Sequence, residues 1–306
     1  MNNHEAVRGA GFGLRLLRKM ITALPRGRAR AARMLGRLLR RPFTDDVPPY
    51  DAGLRLIIDP NDRFQLEIWL GAYQPHVVSF LRRAIRPGDR VLCAGLHIGY
   101  VAALARRLAG PRGIVLSAEP DDSARQRAEI NLRLSDGPAC APIHILPAGL
   151  SDKAETLVFH KSSVLGHSSF AAPHHQEGLV DTAVRRGDSW LAELGIDSLD
   201  VLVLDVEGWE LSALRGLQEV LARSPRLRAM IEVSNWALRD AGTSPEALLT
   251  YCWEAGLVVQ WAEHADDRAP YGVVGSLARP NEAILANDVL CVASASAPAA
   301  LVMQDS

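Results

Sequence analysis

The chain has 306 residues, of which 48% are hydrophobic and 23% are charged, values typical of a soluble globular protein with a substantial core. No uncharged apolar run approaches 18 residues, and Arg18 and Lys19 interrupt the one early apolar stretch, which argues against a transmembrane helix and a secretory signal. The four cysteines form no C-x-x-C pair, so free thiols in a reducing cytoplasm are expected rather than a structural zinc site.

A basic arm, residues 1–42, opens the chain. Residues 1–41 carry eleven Lys or Arg against one acid, a charge of +10, whereas the other 265 residues carry −11. The arm is either a solvated, helical or flexible tail, in a chain where Arg outnumbers Lys 31 to 3, or a surface for anionic lipid, nucleic acid or an acidic partner. Five of its apolar residues follow the spacing of an amphipathic helix that could lie on a membrane: Leu14, Leu17, Met20, Ile21 and Leu24.

Residues 43–90 are expected to lead into the main domain. A Pro- and Asp-punctuated linker over 41–51 precedes a short strand at "LRLIIDP" and a mostly helical stretch over 61–86. Strands are then predicted at "RVLCAG", "GIVLSAE", "IHILPAG", "LDVLVLDVEG", "LRAMIEV", "GLVVQWAEH" and "NDVLCVAS", with helices over 98–109, 121–135, 209–223 and 244–255. Residues 151–187 predict two half-exposed antiparallel strands around a His- and Ser-rich segment.

This alternation predicts an α/β domain over residues 91–296, followed by a disordered tail over 297–306. Its mostly parallel seven-stranded sheet would carry helices on both faces, and because no helix separates the last two strands, we expect a reversed strand at the sheet edge. Ligands of such sheets lie beyond the carboxyl ends of the strands. The residues at those ends are Gly95–Gly99, Glu119-Pro120, Ala148-Gly149-Leu150 and Asp205–Glu210.

A glycine loop and an acid mark the first two strand ends. Gly95 permits a tight turn, and Gly99 permits close approach of a ligand, although helix packing explains such a pair equally well. Glu119 ends the second strand, where a carboxylate can accept hydrogen bonds from both hydroxyls of a ribose, or where it could simply cap a helix. Together they predict an adenosyl ligand.

Three carboxylates crowd the segment "LDVEGWE", 204–210. Acids in the first turn of a helix favour its dipole, which accounts for Glu210 and partly for Glu207. Asp205 follows the apolar "VLVL" and is the carboxylate expected at the ligand edge of the sheet, where desolvation would perturb its pKa.

The segment "LVLDVEGWELSALRG" resembles the signature of the FkbM-type methyltransferase family. Collinear segments agree over roughly residues 50–295, among them "IRPGDRVLCAGLHIGY", "LSAEPDDSARQRAEINLRL", "GHSSF" and "GDSWL". The resemblance implies a class I methyltransferase-like (Rossmann-like) fold of bacterial type, S-adenosylmethionine as cofactor, and methylation of a hydroxyl on a sugar, glycolipid or secondary metabolite.

The first loop departs from the family pattern V-x-D-x-G-A-N-x-G-Y. Cys93 replaces the acid and His97 the amide, Gln74 stands where a glutamate is usual, and Val203 where a lysine is common. Loss of an anionic partner for the cofactor's ammonium would cost on the order of 1.5–3 kcal/mol. The cofactor-binding residues that we expect are Cys93, Ala94, Gly95, His97, Gly99, Tyr100, Glu119, Pro120, Ala148 and Gly149.

Alignment of oxygen, methyl and sulfur does most of the work in O-methyl transfer, and a base removes the hydroxyl proton. We expect Asp205 near the transfer centre, Glu207 beside it, and His167 of the His-rich segment as a further catalytic candidate. Asp188 and Glu232 are second choices. The histidine spacing matches no metal set, so no metal ligand is predicted, and no aromatic platform marks the acceptor.

Two other functions remain open on the sequence. A degenerate methyltransferase fold could act as a scaffold or binding protein, in which case the basic arm would make the main contact. A nicotinamide-dependent oxidoreductase is disfavoured because the third glycine of the phosphate loop is absent. The partner expected is a small-molecule or glycan hydroxyl, with no specific nucleic acid, in a cytoplasmic protein. The arm over residues 1–41 is a candidate for contact with the inner membrane surface or an acidic partner, the alternative being a solvated tail.

Overall fold

The computed structural model describes residues 7–23, 27–49, 52–162, 165, 168–171, 176–262, 273–276 and 288–294. The predicted disordered tail over 297–306 and the candidate base His167 lie outside the described residues. The division into domains stays a prediction. None of the helices in the described ranges has the length and apolar character needed to cross a bilayer.

Two helices and a two-stranded sheet precede the main sheet. The basic arm contains α1 (Phe12–Thr22) and α2 (Arg28–Leu38), whose inner faces join the hydrophobic core through Ile21 and Leu35. The expected linker is instead partly a strand, β1 (Phe43–Val47), paired antiparallel with β2 (Leu54–Ile58). Its acids misled the prediction, because Asp45 is fully buried between Arg18 and the Trp69 indole. Helices α3 (Arg63–Trp69) and α4 (Pro75–Ala84) follow.

The main sheet begins with five parallel strands in the order β5-β4-β3-β9-β10. From β3 the chain adds β4 and then β5 on one side, and it later adds β9 and then β10 on the other side of β3. The strand order therefore reverses between β3 and β9. These strands are β3 (Arg90–Ala94), β4 (Ile114–Ala118), β5 (Ile143–Leu146), β9 (Val201–Leu204) and β10 (Arg228–Val233).

Helices cover both faces of this sheet, as predicted. Alternate strand residues point to opposite layers: Cys93 and Val203 join one apolar cluster, and Ala94 and Leu204 join the other. The helices are α5 (Tyr100–Ala109), α6 (Asp122–Leu134), α7 (Gly187–Glu193), α8 (Glu210–Arg215), α9 (Gln218–Ala222), α10 (Asn235–Asp240) and α11 (Pro245–Glu254).

The far side of the sheet differs from the sequence prediction. Among the described residues the sheet has eight strands rather than seven, because the short β12 (Val273–Ser276) pairs with β11 (Leu257–Ala262). A four-residue strand that contains a glycine gives little periodic signal. Two of the described strands run against the parallel ones: β13 (Asp288–Ser294), which lies between β10 and β11, and β12, which forms the edge.

A smaller sheet lies beside the carboxyl edge of the main one. It has the order β6-β8-β7, with β6 (Gly149–Ser151), β7 (Glu155–Ser162) and β8 (Gln176–Arg186). Strands β7 and β8 are antiparallel, as their alternating pattern predicted. This hairpin places Phe159 beside the loops that follow β3 and β4, and it places Lys161 against Asp121 in the second of these loops.

Candidate active site

The loop after β3 is built on a close backbone contact. Gly95 has φ +88°, and a Cβ added there would lie 1.8 Å from the carbonyl oxygen of Asp205. The Asp205 amide in turn donates to the Ala94 carbonyl at 3.1 Å. Gly95 is therefore required by the approach of the loop after β9, at the point where the strand order reverses.

Gly99 serves helix packing, which is the second of the two explanations for the glycine pair. It precedes α5 with φ +84°, and a Cβ there would lie 3.1–3.2 Å from backbone and side-chain atoms of Ala128 in α6. Gly99 therefore allows α5 to pack on α6, whereas Gly95 allows the loop after β3 to approach the loop after β9.

Glu119 is held by three backbone amides. Its Oε2 accepts from the amides of Leu96 at 3.0 Å and His97 at 3.3 Å, and its Oε1 accepts from Asp121 at 2.8 Å. Burial raises the pKa of Glu119 to about 7, although these hydrogen bonds lower it. Each carboxylate oxygen has two lone pairs, so acceptor capacity remains for a ligand hydroxyl.

Asp121 joins the β7–β8 hairpin to the loop that follows β4. It accepts hydrogen bonds from Lys161, from the Ser168 hydroxyl at 2.8 Å and from the Ser123 amide at 2.8 Å, the last as the cap of α6. Burial raises the pKa of Asp121, but the hydrogen bonds from Lys161, Ser168 and Ser123 outweigh it and the net shift is downward. The sequence does not reveal the contact between Asp121 and Lys161, because the two residues lie 40 positions apart in the chain.

Three carboxylates converge on the same space. One oxygen each of Asp205, Glu207 and Glu232 lies within 4.8 Å of the others. Burial, then the charges of Asp205 and Glu210, raise the pKa of Glu207 well above its ordinary value. Burial, then the charges of Asp205, Glu207 and Glu210, raise the pKa of Glu232 in the same way. The spacing suits a shared proton, a metal ion or an organic cation.

Glu210 is a fourth acid beside this cluster and binds the backbone of the segment that carries Glu207. Its Oε1 accepts from the amides of Val206 at 3.1 Å and Gly208 at 3.2 Å, and α8 begins at Glu210 itself. Burial raises the pKa of Glu210 to about 7. Glu210 thus begins α8, as expected, and it also holds the turn at Glu207, because it accepts hydrogen bonds from the residues on both sides of Glu207.

Backbone strain is concentrated around the cavity. Three non-glycine residues in the described chain have left-handed φ angles, namely Gln74 at +35°, His97 at +47° and Glu207 at +53°. All three line the cavity. Such conformations cost on the order of 1–3 kcal/mol each and cluster at functional sites.

The cavity has a volume of about 210 Å³. Eight of the predicted site residues line it: Ala94, Gly95, His97, Glu119, Pro120, Gly149, Asp205 and Glu207. Glu232 also lines it. These come from the ends of β3, β4, β9 and β10, and from β6, as the strand-end argument anticipated.

Four predicted residues do not line the cavity. Cys93 points into the core with 1% of its surface exposed, and burial raises the pKa of its thiol to about 12. Tyr100 donates to the Pro48 carbonyl at 2.7 Å. Gly99 packs on α6, and Ala148 packs in the core.

The second choice Asp188 is also elsewhere. It is buried and accepts hydrogen bonds from Arg186 at 2.9 Å and from the amides of Glu219 and Val220 at 3.2 and 3.0 Å. It therefore holds the start of α9 and not a ligand of the cavity.

Aromatic side chains line the cavity, although no aromatic platform in the sequence marks the acceptor. The Phe159 and Phe170 rings lie 4.8 Å apart, and Phe170 lies 5.3 Å from Trp209. The buried Trp209 Nε1 has no hydrogen-bond partner among the described residues. Phe64 and Tyr73 line the cavity as well. These residues come from separate elements, so no local sequence pattern groups them.

Comparison with known proteins agrees with the family resemblance. The model of the methyltransferase FkbM domain matches residues 94–259. The 2-O-methyltransferase NoeI of Sinorhizobium fredii (strain NBRC 101917 / NGR234) is 26% identical over 164 residues, which cover 48% of this chain and 64% of that protein. The chain thus matches less than two thirds of that relative's length.

Solved structures with a similar chain path include two O-methyltransferases. That of the SAM-dependent O-methyltransferase of Thermotoga maritima is 14% identical, with a TM-score of 0.39, over 76% of this chain and 67% of that one. TomG of Streptomyces achromogenes, in complex with SAM, is also 14% identical, with a TM-score of 0.36, over 72% of this chain and 76% of that one. At these TM-scores the likeness does not bear on the function of this chain. The family match covers more than half of the residues, and the chain belongs to the FkbM methyltransferase domain family.

Proposed function

We propose that the protein is an S-adenosylmethionine-dependent O-methyltransferase acting on a hydroxyl of a sugar, glycolipid or secondary metabolite. The observation that carries this proposal is the acidic cavity at the carboxyl edge of the sheet. Five acids line it, whereas no Lys or Arg is among the described residues that do: Glu119, Asp121, Asp205, Glu207 and Glu232. Such a cavity attracts a cation.

The cofactor fits this donor set. When bound, it supplies a methyl group on a positively charged sulfur, and it also carries an ammonium group. Asp205, Glu207 and Glu232 offer carboxylates to those cations, and the remaining lone pair on Oε1 of Glu119 can accept a hydrogen bond from one ribose hydroxyl. The tight turn at Gly95 leaves room for the backbone of Asp205 beside it, and both residues line the cavity.

The chain also provides a proton acceptor. Burial and the neighbouring carboxylates raise the pKa of Glu207 and of Glu232, which makes each carboxylate a stronger base toward an acceptor hydroxyl. Asp205 lies within the same cluster, and its negative charge is one cause of the raised pKa of both glutamates. The left-handed turn at Glu207 is fixed by the Ser169 hydroxyl, which donates to the Glu207 carbonyl at 2.7 Å.

The aromatic side of the cavity favours a ring-shaped acceptor. Phe159, Phe170 and Trp209 offer apolar faces, and the Trp209 indole N–H can donate to a hydroxyl oxygen. This combination suits a sugar hydroxyl. O-methylation itself agrees with the relative named as a 2-O-methyltransferase. No observation favours the non-catalytic scaffold.

The test is production of S-adenosylhomocysteine during incubation with S-adenosylmethionine and a panel of sugars, glycolipids and polyketide alcohols. The proposal expects turnover with a hydroxyl compound and a drop of at least 100-fold in Glu207→Gln, with Glu155→Gln, an exposed acid of β7, as the control. Repeating the assay with EDTA and then added Mg²⁺ decides whether the carboxylates use a metal. Turnover only with amines or thiols would refute O-methylation.

A further inference from the structure

The two N-terminal helices carry a surface that the cavity does not explain. Twelve large hydrophobic residues are exposed in the described chain, and half of them lie on α1 and α2. Phe12 is 84% exposed and Leu38 is 74% exposed. We call this set the apolar ridge, and it consists of Phe12, Leu16, Leu17, Met20, Met34 and Leu38.

Helical spacing places the ridge on the outer side of each helix. Phe12, Leu16 and Met20 recur every four residues along α1, as do Met34 and Leu38 along α2. The opposite side of α1 is fixed to the protein, because Ile21 joins the core and Arg18 donates to buried Asp45 at 2.8 Å. The exposed side chains therefore cannot turn inward without breaking that ion pair.

Basic side chains stand beside the ridge. Lys19, Arg33 and Arg37 are exposed and directly precede Met20, Met34 and Leu38 in the chain. The sequence has no Asp or Glu between residues 7 and 44. Apolar side chains that alternate with cations on the exposed side of a helix are typical of binding in the interface of an anionic bilayer.

We propose that this face of α1 and α2 docks on an anionic lipid surface. The apolar side chains enter the acyl boundary, and Lys19, Arg33 and Arg37 meet the headgroup phosphates. A nucleic acid would use the cations but not the six apolar side chains. A two-fold contact with a second copy would bring two sets of arginines together without acids between them.

The surface lies one helix away from the cavity. Helix α2 packs against α3, and Phe64 of α3 lines the cavity. Docking through α2 would therefore hold the cavity near the membrane surface. The inference does not depend on the methyl-transfer reaction, since it rests on α1 and α2 alone.

The experiment is co-sedimentation of the full chain with vesicles of phosphatidylcholine alone and of phosphatidylcholine mixed equally with phosphatidylglycerol. We expect binding to the anionic vesicles that weakens as salt is raised from 50 to 500 mM. Phe12→Ser with Met20→Ser should weaken binding at least tenfold. Arg33→Gln with Arg37→Gln should weaken it about fivefold for each charge removed.

Matched controls use exposed residues outside the two helices. Leu134→Ser with Leu179→Ser removes apolar surface, and Arg112→Gln with Arg226→Gln removes charge, and both should bind the vesicles like the unaltered chain. S-adenosylmethionine affinity, measured without vesicles, should be the same in all four variants. Absence of vesicle binding, equal binding to neutral vesicles, or self-association that is abolished by the Phe12 and Met20 changes would overturn the proposal.

Discussion

Gly95 lies against the backbone carbonyl of Asp205, 110 positions further along the chain, so closely that a Cβ at position 95 would stand 1.8 Å from that oxygen. The contact joins the loop after β3 to the loop after β9, where the strand order of the sheet reverses. It fixes the place of the Asp205 carboxylate relative to the glycine loop, and so it defines the centre of the acidic cavity.

Gly95→Ala should lower the free energy of unfolding more than Gly88→Ala, which is its matched control. Both glycines have left-handed φ, +88° and +97°, but a Cβ at Gly88 meets nothing within 4 Å. At Gly88 we expect the free energy of unfolding to fall by about 1 kcal/mol from backbone strain alone. At Gly95 it should fall by at least about 2 kcal/mol more. Urea unfolding measures the difference, and equal losses would contradict the contact.

Glu119 should contribute to cofactor affinity through the ribose. Glu119→Gln is expected to weaken binding of 5′-methylthioadenosine about tenfold or more, because one carboxylate acceptor is lost. The 2′-deoxy analogue should bind the unaltered chain more weakly, and the two losses should not add. If they add fully, Glu119 acts on the loop amides of Leu96 and His97 alone.

The sequence was sufficient for the parts of the site that stand at strand ends. Gly95, Glu119 and Asp205 line the cavity, and their place at strand ends was predictable because buried strands have a recognisable apolar pattern and parallel strands end at one edge. Cys93 was misplaced because strand alternation sends it to the core while its neighbour Ala94 lines the cavity. The side chains of Phe159, Phe170 and Trp209 meet only through tertiary packing, so no local pattern predicts them.

Glu210 should make stability depend on pH. Its pKa in the folded chain is about 7, above its ordinary value of 4.5, so the folded protein holds the proton more tightly than the unfolded chain. The stabilising effect is complete below pH 4.5 and is lost as the pH rises through about 7, by about 3 kcal/mol. Glu210→Gln should make this part of the curve less steep, measured by urea unfolding between pH 4 and 8, while the raised pKa of Glu119 preserves part of the slope. The exposed Glu254→Gln should leave the curve as it is.

Lys161 should hold the β7–β8 hairpin to the cavity through Asp121. Lys161→Met removes that cation while Ser168 and Ser123 still donate to Asp121, so we expect a loss of about 1–3 kcal/mol and several-fold faster proteolysis within the hairpin. The exposed Lys153→Met is the control. Unchanged proteolysis would show that the ion pair does not anchor the hairpin.

Calorimetric titration of the folded chain with S-adenosylmethionine tests the central claim most directly. The acidic cavity predicts saturable binding at one site, with affinity reduced at least tenfold in Asp205→Asn and Glu232→Gln but unchanged in Asp197→Asn, whose side chain is 77% exposed. The absence of detectable binding at millimolar S-adenosylmethionine would contradict the claim that this cavity holds the cofactor.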